Sequence, residues 1–80
     1  MNDTQIVKTI DELVDEEHRL ERTHSDRGLT DEEKVRLEEV EARLDQCWDL
    51  LRQRRARRSA GENPDEAEAR SIATVEGYQQ

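Results

Sequence analysis

Residues 37–51 read LEEVEARLDQCWDLL, and the spacing of the apolar residues in this stretch decides the fold. The apolar side chains recur at steps of three and four residues, at Leu37, Val40, Leu44, Cys47 and Leu51. Such steps place all of these side chains on one stripe of an α-helix, as in a helical hairpin or a coiled coil. The stretch therefore predicts a long helix that packs along one side against a second helix.

A matching stripe lies upstream, with apolar residues at Ile6, Ile10, Leu13 and Leu20. We expect a first helix that begins at an N-cap on Asp3 or Thr4 and ends near His24. The polar stretch 25–28 ends in Gly28, which can adopt the positive φ that stops a helix. Two helices joined by so short a break fold back on each other as an antiparallel hairpin.

The start and stop of the second helix carry strong local signals. Thr30-Asp31-Glu32-Glu33 is a capping box, in which the Thr30 and Glu33 side chains each bond the other's backbone N–H. No Gly or Pro follows until Gly61, so we predict a helix over residues 31–59. The hairpin then spans residues 1–60, and residues 61–80 contain a short third helix at Asn63-Pro64 and a tail.

The composition favours self-association. Only 31% of the 80 residues are apolar, 42% are charged and Phe is absent, so a lone hairpin has a thin core. We therefore expect a homodimer that forms an all-α four-helix bundle. The net charge of −8 disfavours binding to nucleic acid or to anionic membranes. No apolar run approaches the ~20 residues of a membrane span, which predicts a cytoplasmic protein.

Five arginines and no acid lie within residues 52–58, although the chain as a whole is acidic. Pairing the helices outward from the turn leaves this arginine-rich end beyond the start of helix one, as an overhang. The partner-binding candidates are Trp48, Leu51, Arg52, Arg54, Arg55, Arg57 and Arg58. Residues 59–80 carry five acids and one arginine, so the tail is a candidate to cover the overhang through Ile72, Val75 and Tyr78.

Metal chemistry has one candidate. Glu21 and His24 have the i, i+3 spacing of the Glu-x-x-His motif of di-metal four-helix bundles, and Glu17 shares their helix face. Glu17 can instead pair with Arg36 or Arg43 across the apolar interface between the two helices, here called the seam. Charged residues are so dense here that this spacing is expected by chance, and we predict no metal and no other cofactor.

Catalytic chemistry lacks a recognisable motif. Cys47 lies in the seam, where a cysteine behaves as a small apolar residue, and no basic residue one turn away lowers its pKa. The sequence also lacks a nucleophile–base pair, a glycine-rich phosphate loop and a CxxC motif. We therefore expect that the protein is not an enzyme.

Five segments of the chain are distinctive: IDELV at 10–14, EHRL at 17–20, LDQCWDLLRQRRA at 44–56, NPDEA at 63–67 and TVEGY at 74–78. Together they resemble a family of small actinobacterial proteins of unknown function. The resemblance covers nearly the whole chain and implies a cytoplasmic bacterial protein. It implies no activity, ligand or catalytic residue.

The first functional interpretation is a non-enzymatic interaction module that self-associates through its helices. The alternative is a regulatory adaptor that binds an acidic protein or a nucleotide through the arginine-rich end of helix two. The second alternative is a di-metal carboxylate bundle.

Overall fold

The computed structural model describes residues 1–70 and confirms the predicted all-α helical hairpin. Helix α1 spans Asp3–Arg27, helix α2 spans Asp31–Ser59, and a single 3₁₀ turn, η1, covers Pro64–Glu66. Neither helix of residues 1–70 combines the length and apolar character that crossing a bilayer requires. The predicted contacts of Ile72, Val75 and Tyr78 lie outside the described residues.

The N-cap of α1 differs from the prediction. Asn2, not Asp3 or Thr4, caps the helix: its side-chain oxygen accepts a hydrogen bond from the Gln5 N–H at 2.8 Å. The Gln5 side chain accepts in turn from the Asn2 N–H at 2.9 Å, which completes a capping box. Asp3 is thereby free to use its carboxylate on another part of the chain.

The C-terminus of α1 was also predicted too early. The helix continues past His24 to Arg27 and ends at Gly28, whose φ is +79°. A residue with a side chain would be strained at this φ. The Gly28 N–H still donates to the His24 carbonyl at 3.1 Å, so the last turn stays hydrogen-bonded up to the glycine.

The signals for α2 are confirmed. The Thr30 hydroxyl accepts from the Glu33 N–H at 3.1 Å, and the Glu33 carboxylate accepts from the Thr30 N–H at 3.0 Å. The helix ends at Ser59, two residues before Gly61 at φ +75°. The predicted third helix is only one 3₁₀ turn, in which the Asn63 side chain accepts from the Asp65 N–H at 3.0 Å.

The hydrophobic core lies between the two helices. Its buried apolar residues are Ile6, Ile10, Leu13, Val40, Leu44, Leu50 and Leu51. All except Leu50 belong to the two predicted stripes. Leu20 and Leu37, near the turn, are only half-buried, so the tightly packed part of the seam lies away from the turn.

Residues 61–70, here called the return segment, run back along α2. Gln53 donates to the Glu68 carbonyl at 2.7 Å, and Gln46 donates to the Arg70 carbonyl at 3.0 Å. Gln46, Asp49, Leu50 and Gln53 form a second stripe on α2, because Asp49 and Leu50 each lie three or four residues from both glutamines. The segment covers this stripe, which explains why Asp49 is only 4% exposed. Helix α2 is therefore packed on two sides.

A substitution at Leu44 tests whether packing between α1 and α2 stabilises the fold. We expect Leu44→Asp to abolish cooperative unfolding, because the substitution places an unpaired charge at a position that is only 8% exposed. The matched control is Val35→Asp, since Val35 lies on the same helix and is 54% exposed. The control should change the free energy of unfolding by less than about 0.5 kcal/mol. Circular dichroism during thermal unfolding measures both, and a native-like transition in Leu44→Asp would contradict the seam.

Candidate functional site

The arginine-rich end of α2 is held by acidic groups of the same chain. The Asp3 carboxylate accepts hydrogen bonds from both Arg54 and Arg58. Arg54 Nη1 also donates to an Asp65 carboxylate oxygen at 3.0 Å and to the Pro64 carbonyl at 3.1 Å. With these partners Arg54 is only 5% exposed. We call Asp3, Arg54, Arg58 and Asp65 the clasp, because they join α1, α2 and the return segment.

The seven-residue repeat explains the position of the clasp. Seven residues beyond Cys47 is Arg54, and seven residues before Ile10 is Asp3. Both charged residues thus occupy core positions of the coiled-coil pattern, where a polar pair can fix the register of two helices. The stripe predicted from apolar residues ended at Leu51 and therefore did not include this pair. Extending the same count across the charged residues would have found it.

The expected overhang is therefore wrong. Helix α1 reaches far enough along α2 for Asp3 to contact Arg58, and the return segment covers another side of the same end. The Arg57 guanidinium lies 3.6 Å from carboxylate oxygens of both Glu62 and Glu66. The acidic residues that form ion pairs with these arginines lie at the start of α1 and directly after α2.

The partner-binding candidates accordingly separate into two groups. Leu51 and Arg54 are buried within the chain, and Arg57 and Arg58 form ion pairs inside it. The group that faces solvent without an ion pair to any of residues 1–70 is Trp48, Arg52 and Arg55. Among the candidates, only this second group is both exposed and without an ion pair within residues 1–70.

The metal candidates are not gathered into a site. Glu21 and His24 are exposed, whereas Glu17 is half-buried. Within residues 1–70 no three His, Cys, Asp or Glu side chains converge in a way that could hold a metal ion. Glu17 does not pair with Arg36 either, because Arg36 forms a two-pronged ion pair with the neighbouring Glu16, one contact of which is 2.7 Å long.

Glu17 lies in an unfavourable environment for a carboxylate. Burial raises its pKa, and the negative charges of Glu21, Glu41 and Asp45 raise it further. By contrast, the hydrogen bonds from Arg36 lower the pKa of Glu16. The pKa values of these two adjacent glutamates are thus shifted in opposite directions, because only Glu16 forms an ion pair with Arg36.

Cys47 borders a shallow groove of about 390 Å³, whose apolar wall includes Leu13 and Leu50. Burial raises the pKa of the thiol, and the charge of Arg43 lowers it by a smaller amount. The thiol is consequently protonated at neutral pH and is a weak nucleophile. Cys47 packs against the core as predicted. The expectation that no basic residue one turn away lowers its pKa is wrong, because Arg43 lies four residues before it.

One edge of the hairpin exposes apolar side chains, and we call it the Trp48 edge. Trp48 is 45% exposed and Val7 is 47% exposed. Each follows a core position of its own helix by one residue, namely Cys47 and Ile6, so both flank the same side of the antiparallel seam. Val14, seven residues after Val7, lies on this edge and packs partly against the core. The edge therefore carries three apolar side chains beside the seam, two of them exposed.

Comparison with known proteins places the chain in a family. A family of proteins of unknown function, DUF2630, matches residues 2–80. The chain belongs to this family. An uncharacterised protein of Mycobacterium tuberculosis and one of Mycobacterium bovis are each 46% identical over 77 residues, covering 95% of this chain and 88% of theirs. No solved structure matches. The resemblance to a small actinobacterial family of unknown function is thereby confirmed.

We expect the stability that the clasp contributes to depend on pH, because Asp3 must be ionised. Hydrogen bonds from Arg54 and then Arg58 hold the pKa of Asp3 below its ordinary value of 3.8. A lowered pKa in the folded state adds stability above the unfolded pKa, and this contribution is lost as pH falls through the folded pKa. We expect Asp3→Asn to lower the melting temperature at neutral pH, by an amount that shrinks as the pH falls below 3.8.

Thermal unfolding across a pH series measures this effect. Asp11→Asn is the matched control, because it removes the same charge from an exposed position of the same helix. Equal melting temperatures of Asp3→Asn and Asp11→Asn at neutral pH would show that the clasp does not stabilise the fold.

Glu17 should behave in the opposite way. Because the pKa of Glu17 is raised, its ionised form disfavours folding, and stability is lost as pH rises through the folded pKa. We expect Glu17→Gln to raise the melting temperature at neutral pH, and the gain to fade as the pH falls below the ordinary value of 4.5. Glu12→Gln, at an exposed position of α1, controls for the change in net charge. A destabilised Glu17→Gln protein would mean that Glu17 has a stabilising partner.

Proposed function

We propose that this protein is a non-enzymatic interaction module that self-associates through its helices, with two hairpins forming a four-helix bundle. The observation that carries the proposal is the Trp48 edge. Trp48 is the chain's one tryptophan, and it lies beside the seam with nearly half of its surface exposed. Burying apolar surface against a second copy contributes about 25 cal/mol per Å² removed from water.

The thin core supports the same proposal. Seven buried apolar residues form the core of residues 1–70, and two of them, Ile6 and Val40, are fully buried. A hairpin of two helices offers one internal interface, and small domains of this kind are commonly stabilised by association. A second hairpin on the Trp48 edge adds a second interface without any change in the first.

Arg52 and Arg55 support a second candidate, the adaptor. They are exposed beside Trp48 and make no ion pair within residues 1–70, so they could contact carboxylate or phosphate groups. The structure supports this candidate less than the sequence does, since Arg54, Arg57 and Arg58 form ion pairs inside the chain. Two arginines on an acidic chain give little long-range attraction for an anion.

Sedimentation equilibrium tests self-association. We expect a dimer at micromolar concentration, measured with a reductant present so that Cys47 cannot link two chains covalently. Trp48→Ala should shift the equilibrium toward the monomer, because it removes the exposed ring from the edge. Val35→Ala is the control, since Val35 is more exposed than Trp48 but lies away from the seam.

Tryptophan fluorescence provides an independent measurement on the unmodified chain. The emission of Trp48 should move to shorter wavelength as the protein concentration rises, because dimer formation removes water from the ring. A monomer at every concentration, with a melting temperature independent of concentration, would refute self-association.

A further inference from the structure

The exposed side of α2 that carries Trp48 has charges of opposite sign on the N-terminal and C-terminal sides of this residue. Two acids precede the tryptophan and two arginines follow it. In chain order the residues are Glu41, Asp45, Trp48, Arg52 and Arg55. Their spacing alternates between four and three residues, which places all five side chains along one stripe of the helix. We call this stripe the Trp48 face.

The charges of the Trp48 face are not paired with any of residues 1–70. Glu41, Arg52 and Arg55 are exposed and Asp45 is half-buried. Among residues 1–70 no ion pair or side-chain hydrogen bond engages any of the four, although neighbouring arginines on other sides of α2 are paired. The face thus combines an apolar centre with charges that have no partner in the described part of the chain.

The arrangement is self-complementary. Glu41 and Arg55 each lie seven residues from Trp48, about 10.5 Å along the helix in opposite directions. Asp45 and Arg52 lie three and four residues from it. A two-fold rotation about an axis at Trp48 therefore sets each acid of one copy opposite an arginine of the other, as an isologous interface requires.

We propose that two copies pair through their Trp48 faces, with the two α2 helices antiparallel and the two-fold axis at Trp48. The proposal rests on the proposed self-association and adds its geometry. The two indole rings meet at the centre, and each Glu41 faces Arg55 of the second copy. Parallel pairing would instead place like charges opposite each other.

The same charges favour a second copy over an acidic partner protein. A surface of acidic residues that met Arg52 and Arg55 would also approach Glu41 and Asp45, which would repel it. Only a partner with the reversed order of charges satisfies both flanks. The antiparallel second copy has that order by symmetry.

Charge reversal tests the pairing. We expect Glu41→Arg and Arg55→Glu, each alone, to raise the dimer dissociation constant about tenfold or more, because each places two repulsive contacts in a symmetric dimer. The double variant, Glu41→Arg with Arg55→Glu, should regain the wild-type dissociation constant. An equimolar mixture of the two single variants should form a heterodimer, since the reversed charges again face opposite charges.

The controls separate this geometry from general charge effects. Glu12→Arg and Arg22→Glu make the same charge changes at exposed positions of α1 and should leave the dimer unchanged. Circular dichroism confirms that every variant remains helical. Sedimentation equilibrium at two salt concentrations should show weaker association of the wild-type chain at high salt.

The possible failures are distinguishable. If the wild-type chain is a dimer but the single variants dimerise normally, or the double variant and the mixture stay dissociated, the antiparallel pairing is wrong and self-association stands. If the wild-type chain is a monomer that binds an acidic peptide through Arg55, both proposals are wrong and the adaptor takes their place.

Discussion

The ion pair between Asp3 and the buried Arg54 is the contact on which the rest of the structure depends. A guanidinium that is 5% exposed requires partners, because an unpaired charge in that position would be strongly destabilising. Asp3 supplies one from α1, and Asp65 supplies another from the return segment. Since a shift of either helix by one turn would separate these groups, the pair fixes the register of the hairpin and the place where the chain folds back.

The return segment determines which surfaces of α2 remain open. Its backbone carbonyls accept hydrogen bonds from Gln46 and Gln53, and it covers Asp49 on the side away from the seam. Helix α2 is thereby occupied by α1 on one side and by residues 61–70 on another. Neither of these two elements covers the side that carries Trp48. Within residues 1–70 the internal packing thus leaves exposed the surface through which self-association is proposed.

The sequence predicted the hairpin because apolar periodicity and helix capping are local signals. Thr30, Glu33 and Gly61 act within one or two turns, and the structure places them as expected. The clasp escaped prediction because a charged residue at a core position interrupts an apolar count. The burial of Asp49 could not be predicted, since it depends on a segment that begins after the helix ends. That segment is attached to α2 through its backbone carbonyls, which carry no sequence signature.

Arg54 and Arg55 show why charge counts alone mislead about function in this chain. They are adjacent in sequence, but successive residues on a helix point about 100° apart, so one enters the seam and the other faces solvent. A count of five arginines within residues 52–58 describes a basic patch, whereas Arg54, Arg57 and Arg58 belong to the fold. Within residues 1–70, the exposed Trp48 lies between two acids and two arginines that make no ion pair. That pattern suits a surface of its own kind better than a uniformly charged ligand.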